Sequence, residues 1–99
     1  MQPASTRGAF VPTPDIVLSA PARTPIGSYG GSLKETPASA LGAAVIRETL
    51  HRSGLAAEAV DTVVMGHVIQ AGTGMNPARQ AAIGGGLPVQ MPALTVNRV

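Results

Sequence analysis

The sequence predicts an α/β domain in which strand, helix, strand, helix and strand follow in order, with helices on both sides of a mostly parallel sheet. Two observations predict it. The short apolar runs Ile16-Val17-Leu18 and Val63-Val64-Met65 are what strands covered on both faces look like. Two further segments carry helical start and stop residues, Thr36-Pro37 to Gly54 and Asn76-Pro77 to Gly84-Gly85-Gly86. Composition narrows the packing. The chain has 99 residues, 44% of them hydrophobic, with one Phe, one Tyr and no Trp. Its apolar mass is Ala, Val, Ile and Leu, which suits tight layers but buries little area per residue. The segment is therefore not expected to be stable alone.

Taken in order, residues 1–14 (MQPASTRGAFVPTP) lack a hydrophobic signal core and read as a flexible leader; 15–99 read as the first part of an incomplete domain. Asp15–Ala20 (DIVLSA) is the first expected strand. A loop follows, punctuated by Pro21, Pro25, Gly27, Gly30 and Gly31. Thr36 is the expected N-cap of the first helix, with Pro37 at its first position. Leu41, Gly42, Val45, Ile46, Thr49, Leu50 and Ser53 recur on one face, and Arg47, Glu48, His51 and Arg52 on the other. Glu48 precedes Arg52 by four residues, the favourable order for a surface pair, and Gly54 supplies the left-handed stop. Val60–Gln70 is the second expected strand, in which Gly66 marks a bulge or close backbone approach. After the loop Ala71–Met75, Asn76-Pro77 repeats the cap-plus-proline start of a short helix. The last expected strand, 93–99, ends on Thr95-Val96-Asn97-Arg98-Val99, with no turn after it.

Charge and residue content exclude several functions. The isoelectric point near 10 reflects few titrating groups, because net charge is only +2. The seven basic residues form no stripe and have no aromatic stacking platform beside them, against nucleic-acid binding. All five acids lie before residue 62. No cysteine and two histidines leave no metal-ligand cluster and no disulfide. No stretch approaches the roughly 20 apolar residues that cross a bilayer, and a cytoplasmic protein is expected. Gly72-Thr73-Gly74 looks like the start of a dinucleotide fingerprint, but Pro77 stands where the third glycine belongs, and no acid follows to hold a ribose. A nucleotide-binding half-domain is thus the weakest reading. GSYGGSLK lacks a phosphate-loop ending, since Lys34 precedes Glu35. Both stretches read as turns. His67, in an apolar strand, reads as a hydrogen-bonded core residue, and His51 as a solvated one. No serine sits in a nucleophile elbow, so the residues alone contain no catalytic constellation.

Three segments in order carry a resemblance: Arg23-Thr24-Pro25-Ile26-Gly27, Asn76-Pro77-Ala78-Arg79-Gln80 and Val96-Asn97-Arg98-Val99. From about Asp15 to Val99 the chain resembles the opening of the thiolases, the acetyl-CoA acetyltransferases. The resemblance implies the β-α-β-α-β opening of the thiolase fold's N-terminal half-domain. It also implies reversible condensation of two acetyl-CoA to acetoacetyl-CoA and CoA, or thiolysis of a 3-ketoacyl-CoA, through a cysteine thioester. The nucleophilic cysteine is expected directly after the equivalent of Val99, at a helix N-terminus that favours the thiolate. The ending there is read as a break at a modified residue, a cleavage or a truncation. The other catalytic groups and the CoA-binding loop domain are expected beyond Val99, so no residue of 1–99 is expected to be catalytic.

The resemblance implies no cofactor beyond the CoA thioesters. It implies acyl-CoA substrates, the remainder of the same polypeptide and a homodimer or homotetramer as partners, with no nucleic acid and no membrane. The strand like 93–99 is expected to pair with its twofold mate, and the loop like 72–80 to lie near that interface and the active site. Asn76, Arg79 and Asn97 are therefore candidates for active-site support and the dimer interface. Asn76 is also explained as a helix cap, and Arg79 as a surface pairing residue. His67 departs from the asparagine expected in many relatives. The alternative reading is a non-catalytic fragment or interaction module that pairs through its terminal strand.

Overall fold

The computed structural model describes residues 14–99. Among these, two helices and two strands form: α1 (Ala38–Ser53), β1 (Val63–Gly66), α2 (Pro77–Gly84) and β2 (Ala93–Val96), with a single 3-10 turn at Ala57–Ala59. The leader expected at 1–14 lies, apart from Pro14, outside the described residues.

α1 begins one residue later than expected. The amides of Ala40 and Leu41 reach back to the Pro37 carbonyl, and Pro37, still extended at ψ 148°, is the N-cap. Thr36 precedes a proline, which disfavours helical backbone, and its amide instead closes a turn onto the Leu33 carbonyl. The far end is as expected: Gly54 takes φ 73° and donates to the Leu50 carbonyl. The two faces also sort as expected. Leu41, Gly42, Val45, Ile46, Thr49, Leu50 and Ser53 are all buried or partly buried, whereas Arg47, Glu48, His51 and Arg52 are exposed.

β1 and β2 pair in parallel, with Val63 opposite Ala93 and Gly66 opposite Val96. Period-2 alternation puts Val63, Met65, Ala93 and Thr95 on one face and Val64, Gly66, Leu94 and Val96 on the other. Both helices cover the first face. Gly42 of α1 abuts Met65, Thr95 bonds the first turn of α2, and Ala82 of α2 shares a cluster with Leu87, Met91 and Val63. The expectation of helices on both sides is thus corrected, because element order fixes alternation along the chain and not the side on which each helix lands. Among the described residues the second face is bare, with Val64 59% and Leu94 55% exposed.

The expected opening strand Asp15–Ala20 does not form. Ile16, Val17 and Leu18 are 93, 75 and 100% exposed. The two described strands pair only with each other, and this run joins neither of their open edges. Its end is bent by Ala20 at φ 52°, where α1 holds the chain by hydrogen bonds from Thr49 Oγ1 to the Ala20 carbonyl and from Arg52 to the Pro21 carbonyl. The other strands are shorter than expected, four residues each. Gly66 is neither bulge nor close approach: it ends β1 on the bare face, where an added Cβ would meet nothing within 4 Å.

The core is built from small residues, Ala43, Ala78, Ala81 and Ala82, with Leu87 and Met91. α1 and α2 pack through Gly42, Ala43, Ala81, Gly84 and Gly85, and a Cβ on Gly85 would lie 2.7 Å from Ile46 Cγ2. Backbone-to-backbone approach replaces interdigitated large side chains, which accounts for the near-absence of aromatics.

Candidate functional site

The polar residues singled out in the sequence lie where α2 begins and where the two strands end. Asn76 caps α2. Its Oδ1 accepts from the Arg79 amide at 3.2 Å and from Thr95 Oγ1 at 2.7 Å, and its Nδ2 donates to the Ala93 carbonyl at 3.1 Å. Asn76 takes a left-handed φ of 44°, rare outside glycine but tolerated best by Asn and Asp. Pro77 occupies the first helical position, where its missing N–H leaves nothing unpaired. One turn on, Arg79 donates to the Met91 carbonyl at 3.3 Å, tying α2 to the segment that leads into β2.

Asn97 makes a separate stitch. The last ladder bond runs from the His67 amide to the Val96 carbonyl at 2.9 Å. Beyond it, Asn97 Nδ2 donates to the carbonyls of both His67 and Val68. The structure therefore brings Asn76 and Arg79 together on one turn of α2. It keeps Asn97 apart at the strand exit, where among the described residues it shares no hydrogen bond with either.

The loop between β1 and α2 is braced from within. Gln70 donates to the His67 carbonyl, Thr73 Oγ1 to the Gln70 carbonyl, and Gln80 Nε2 to the Thr73 and Met75 carbonyls, both at 2.9 Å. Gly72 and Gly74 take φ 76° and 83°, so the near-miss fingerprint is a pair of turns. A hollow of about 70 Å³ opens beside this loop, lined by Ser39, Met65, Gly66, His67, Pro77 and Ala78 among others. His67 is partly buried at its wall.

Sequence reading missed Thr95 and Gln80. Thr95 carried a signal: with Ala93 it alternates onto the covered face, where a polar side chain needs a partner. Gln80, exposed on a short helix, carried none.

Electrostatics contribute little here. Glu48, on the outer face of α1, has its carboxyl held below its ordinary range by the hydrogen bond from Arg52 at 2.6 Å. Among the described residues no three His, Cys, Asp or Glu side chains cluster to hold a metal. Asn76, Arg79, Asn97 and Gln80 each direct hydrogen bonds to backbone carbonyls. Such an arrangement orients chain, here the exit from β2, rather than performing chemistry itself.

Comparison with known proteins places this architecture. The family description "Thiolase, N-terminal domain" fits residues 16–99. Over 85 residues the chain is 53% identical to an acetyl-CoA acetyltransferase of Cupriavidus necator and 56% identical to one of Pseudomonas aeruginosa, covering 86% of this chain in each case. A probable acetyl-CoA acyltransferase of Staphylococcus aureus is 51% identical over 84 residues, 85% of the chain. The chain spans only 21–22% of the length of these curated relatives. With that match running from Ile16 to Val99, the chain belongs to the thiolase family, as a segment of its N-terminal domain.

Proposed function

We propose that these residues open an acyltransferase that condenses two acetyl-CoA to acetoacetyl-CoA and CoA or, in the reverse direction, thiolyses a 3-ketoacyl-CoA. The observation that carries this reading is the identity above one half to two proteins named acetyl-CoA acetyltransferase. In the first step a base takes the cysteine proton, the thiolate attacks the acetyl carbonyl of acetyl-CoA, a thioester forms on the cysteine, and CoA leaves as its thiol with the proton that the base returns. In the second, another acetyl-CoA loses a proton from its α-carbon to a base, and the carbanion attacks the acyl carbon. The cysteine thiolate departs, restoring the enzyme. Nucleophile and base belong beyond the equivalent of Val99, with the nucleophile directly after it.

In this reading Asn76, Arg79 and Asn97 support the active site without touching substrate. Their bonds fix the start of α2 and the exit of β2, the route by which the chain reaches the nucleophile. The working assembly is a homodimer or homotetramer joined near β2 and the 72–80 loop, in the cytoplasm. No helix among the described residues is long and apolar enough to cross a membrane.

The test is turnover of acetoacetyl-CoA plus CoA by the intact protein, with mass spectrometry after incubation with acetyl-CoA alone. An acetyl adduct on one cysteine, abolished by prior alkylation, is the expected result. Absence of both turnover and adduct overturns the reading.

A further inference from the structure

Thr95 occupies a place where its residue type calls for explanation. It lies on the covered face of β2, between Ala93 and Asn97, opposite Met65. A valine would suit that face and the strand equally well by shape and propensity. Threonine differs by one hydroxyl, and both capacities of that hydroxyl are in use. Its oxygen accepts from the Ala78 amide at 3.0 Å, and its proton goes to Asn76 Oδ1 at 2.7 Å.

Both partners depend on it. Ala78 is fully buried, and its amide belongs to the first turn of α2, where no carbonyl of the helix can reach it. Asn76 sits at a positive φ and is held there by its side-chain bonds to Arg79, Ala93 and Thr95. The hydroxyl thus closes a ring running Ala93 carbonyl, Asn76 amide, Thr95 hydroxyl, Ala78 amide. It joins the start of α2 to the strand two residues before Asn97, and one residue before the last ladder bond at Val96.

We infer that Thr95 is a positioning residue for the acyl-transfer reaction, its hydroxyl fixing the distance and direction in which the chain leaves β2 toward the nucleophile. This inference rests on the acyl-cysteine reading proposed above. Thr95 touches no substrate. It acts through Asn76, the first turn of α2 and the strand exit, so its loss displaces the nucleophile without emptying the substrate site.

The experiment compares Thr95→Val and Thr95→Ser with the intact wild-type enzyme. Three quantities are read: kcat and KM for acetoacetyl-CoA thiolysis, the pH midpoint of cysteine alkylation by iodoacetamide, and thermal unfolding. In Thr95→Val, kcat falls roughly ten- to a hundredfold, as expected for a reacting group moved by a fraction of its bonding distance, while KM holds. The alkylation midpoint moves upward as the thiolate loses its placement. Thr95→Ser restores both. If Thr95→Val lowers only the unfolding temperature and keeps wild-type kcat and midpoint, Thr95 is merely structural and the inference is overturned. Where Thr95→Val does not fold, Thr95→Ser decides: it must keep wild-type kcat and midpoint, and a lowered kcat or a shifted midpoint overturns the inference. A wild-type enzyme without cysteine-dependent turnover sinks the acyl-cysteine reading itself, whatever the variants do.

Discussion

Gly42 of α1 and Ala81 of α2 approach so closely that a Cβ added to Gly42 would lie 3.0 Å from the Cβ of Ala81 and 2.9 Å from Met65 Cε. Alanine Cβ is the whole of its side chain and cannot swing aside, whereas the methionine tip can. Gly42→Val therefore overpacks the helix crossing and pries α1 from the sheet. Overpacking of this kind costs about 1–3 kcal/mol. The melting temperature of the intact protein should fall by several degrees, and by less in Gly42→Ala. An unchanged melting temperature in Gly42→Val would show that the crossing is slack.

Asn76 offers a test in which glycine is the milder replacement. Asn76→Ala removes the cap on the Arg79 amide and also leaves a methyl-bearing residue at φ 44°. Cap loss and left-handed strain each amount to about 1 kcal/mol, for a total near 2. Asn76→Gly loses the cap but accepts the backbone. Thermal unfolding should rank wild type above Asn76→Gly, and that above Asn76→Ala. The reverse order of the two variants would mean that the positive φ is not under strain.

Asn97 should tolerate truncation better than conversion to an acid. Its Nδ2 faces two consecutive carbonyls, those of His67 and Val68. Asn97→Ala leaves carbonyls that water can reach, at about 1 kcal/mol. Asn97→Asp places a carboxylate oxygen against two acceptors and repels both. The aspartate variant should show the lower melting temperature and the larger loss of acyl transfer. Equal behaviour of the two would mean that the amide's donors are not engaged.

Glu48 predicts a small, salt-sensitive acid dependence. Its carboxyl is held below its ordinary value of 4.5 by the bond from Arg52. The folded state then favours the charged form. The stabilisation is present above that ordinary value and disappears as pH falls through the lower, folded one. Glu48→Gln should lower the melting temperature slightly at neutral pH, slightly because exposed pairs contribute little, and the two proteins should converge as pH falls through that window. Added salt should erase the difference. A larger effect in acid than at neutral pH would contradict this.

Some of this architecture is plain in the residues and some is not, for physical reasons. α1 was legible along its whole length because periodicity, a proline at the start and Gly54 at the end all point one way. Only the start shifted by one residue, the cap passing from Thr36 to Pro37, which stays extended. α2 was legible through Asn76-Pro77. The side of the sheet taken by each helix was not, because an apolar face says that a helix packs and not on which side of the sheet it lands. Ile16-Val17-Leu18 has the composition of a strand, yet composition supplies no partner ladder. Among the site residues, Asn76 was legible as a cap. Alternation signals that the Thr95 hydroxyl needs a partner on the covered face, but not that the partner is Asn76, nineteen positions away.

The glycine and alanine seam between α1 and α2 has a consequence for how this domain can change over generations. At a contact of large side chains, an enlargement on one helix can be answered by a reduction on the other. Along Gly42, Ala43, Ala81, Gly84 and Gly85 there is almost nothing left to reduce. The seam works as a ratchet: apart from trading a single methyl between Gly42 and Ala81 or between Gly84 and Ala43, substitutions enter it only by enlarging. Drift should therefore be confined to the outer face of α1, and anyone grafting this helix pair onto another scaffold must move all five positions as one unit.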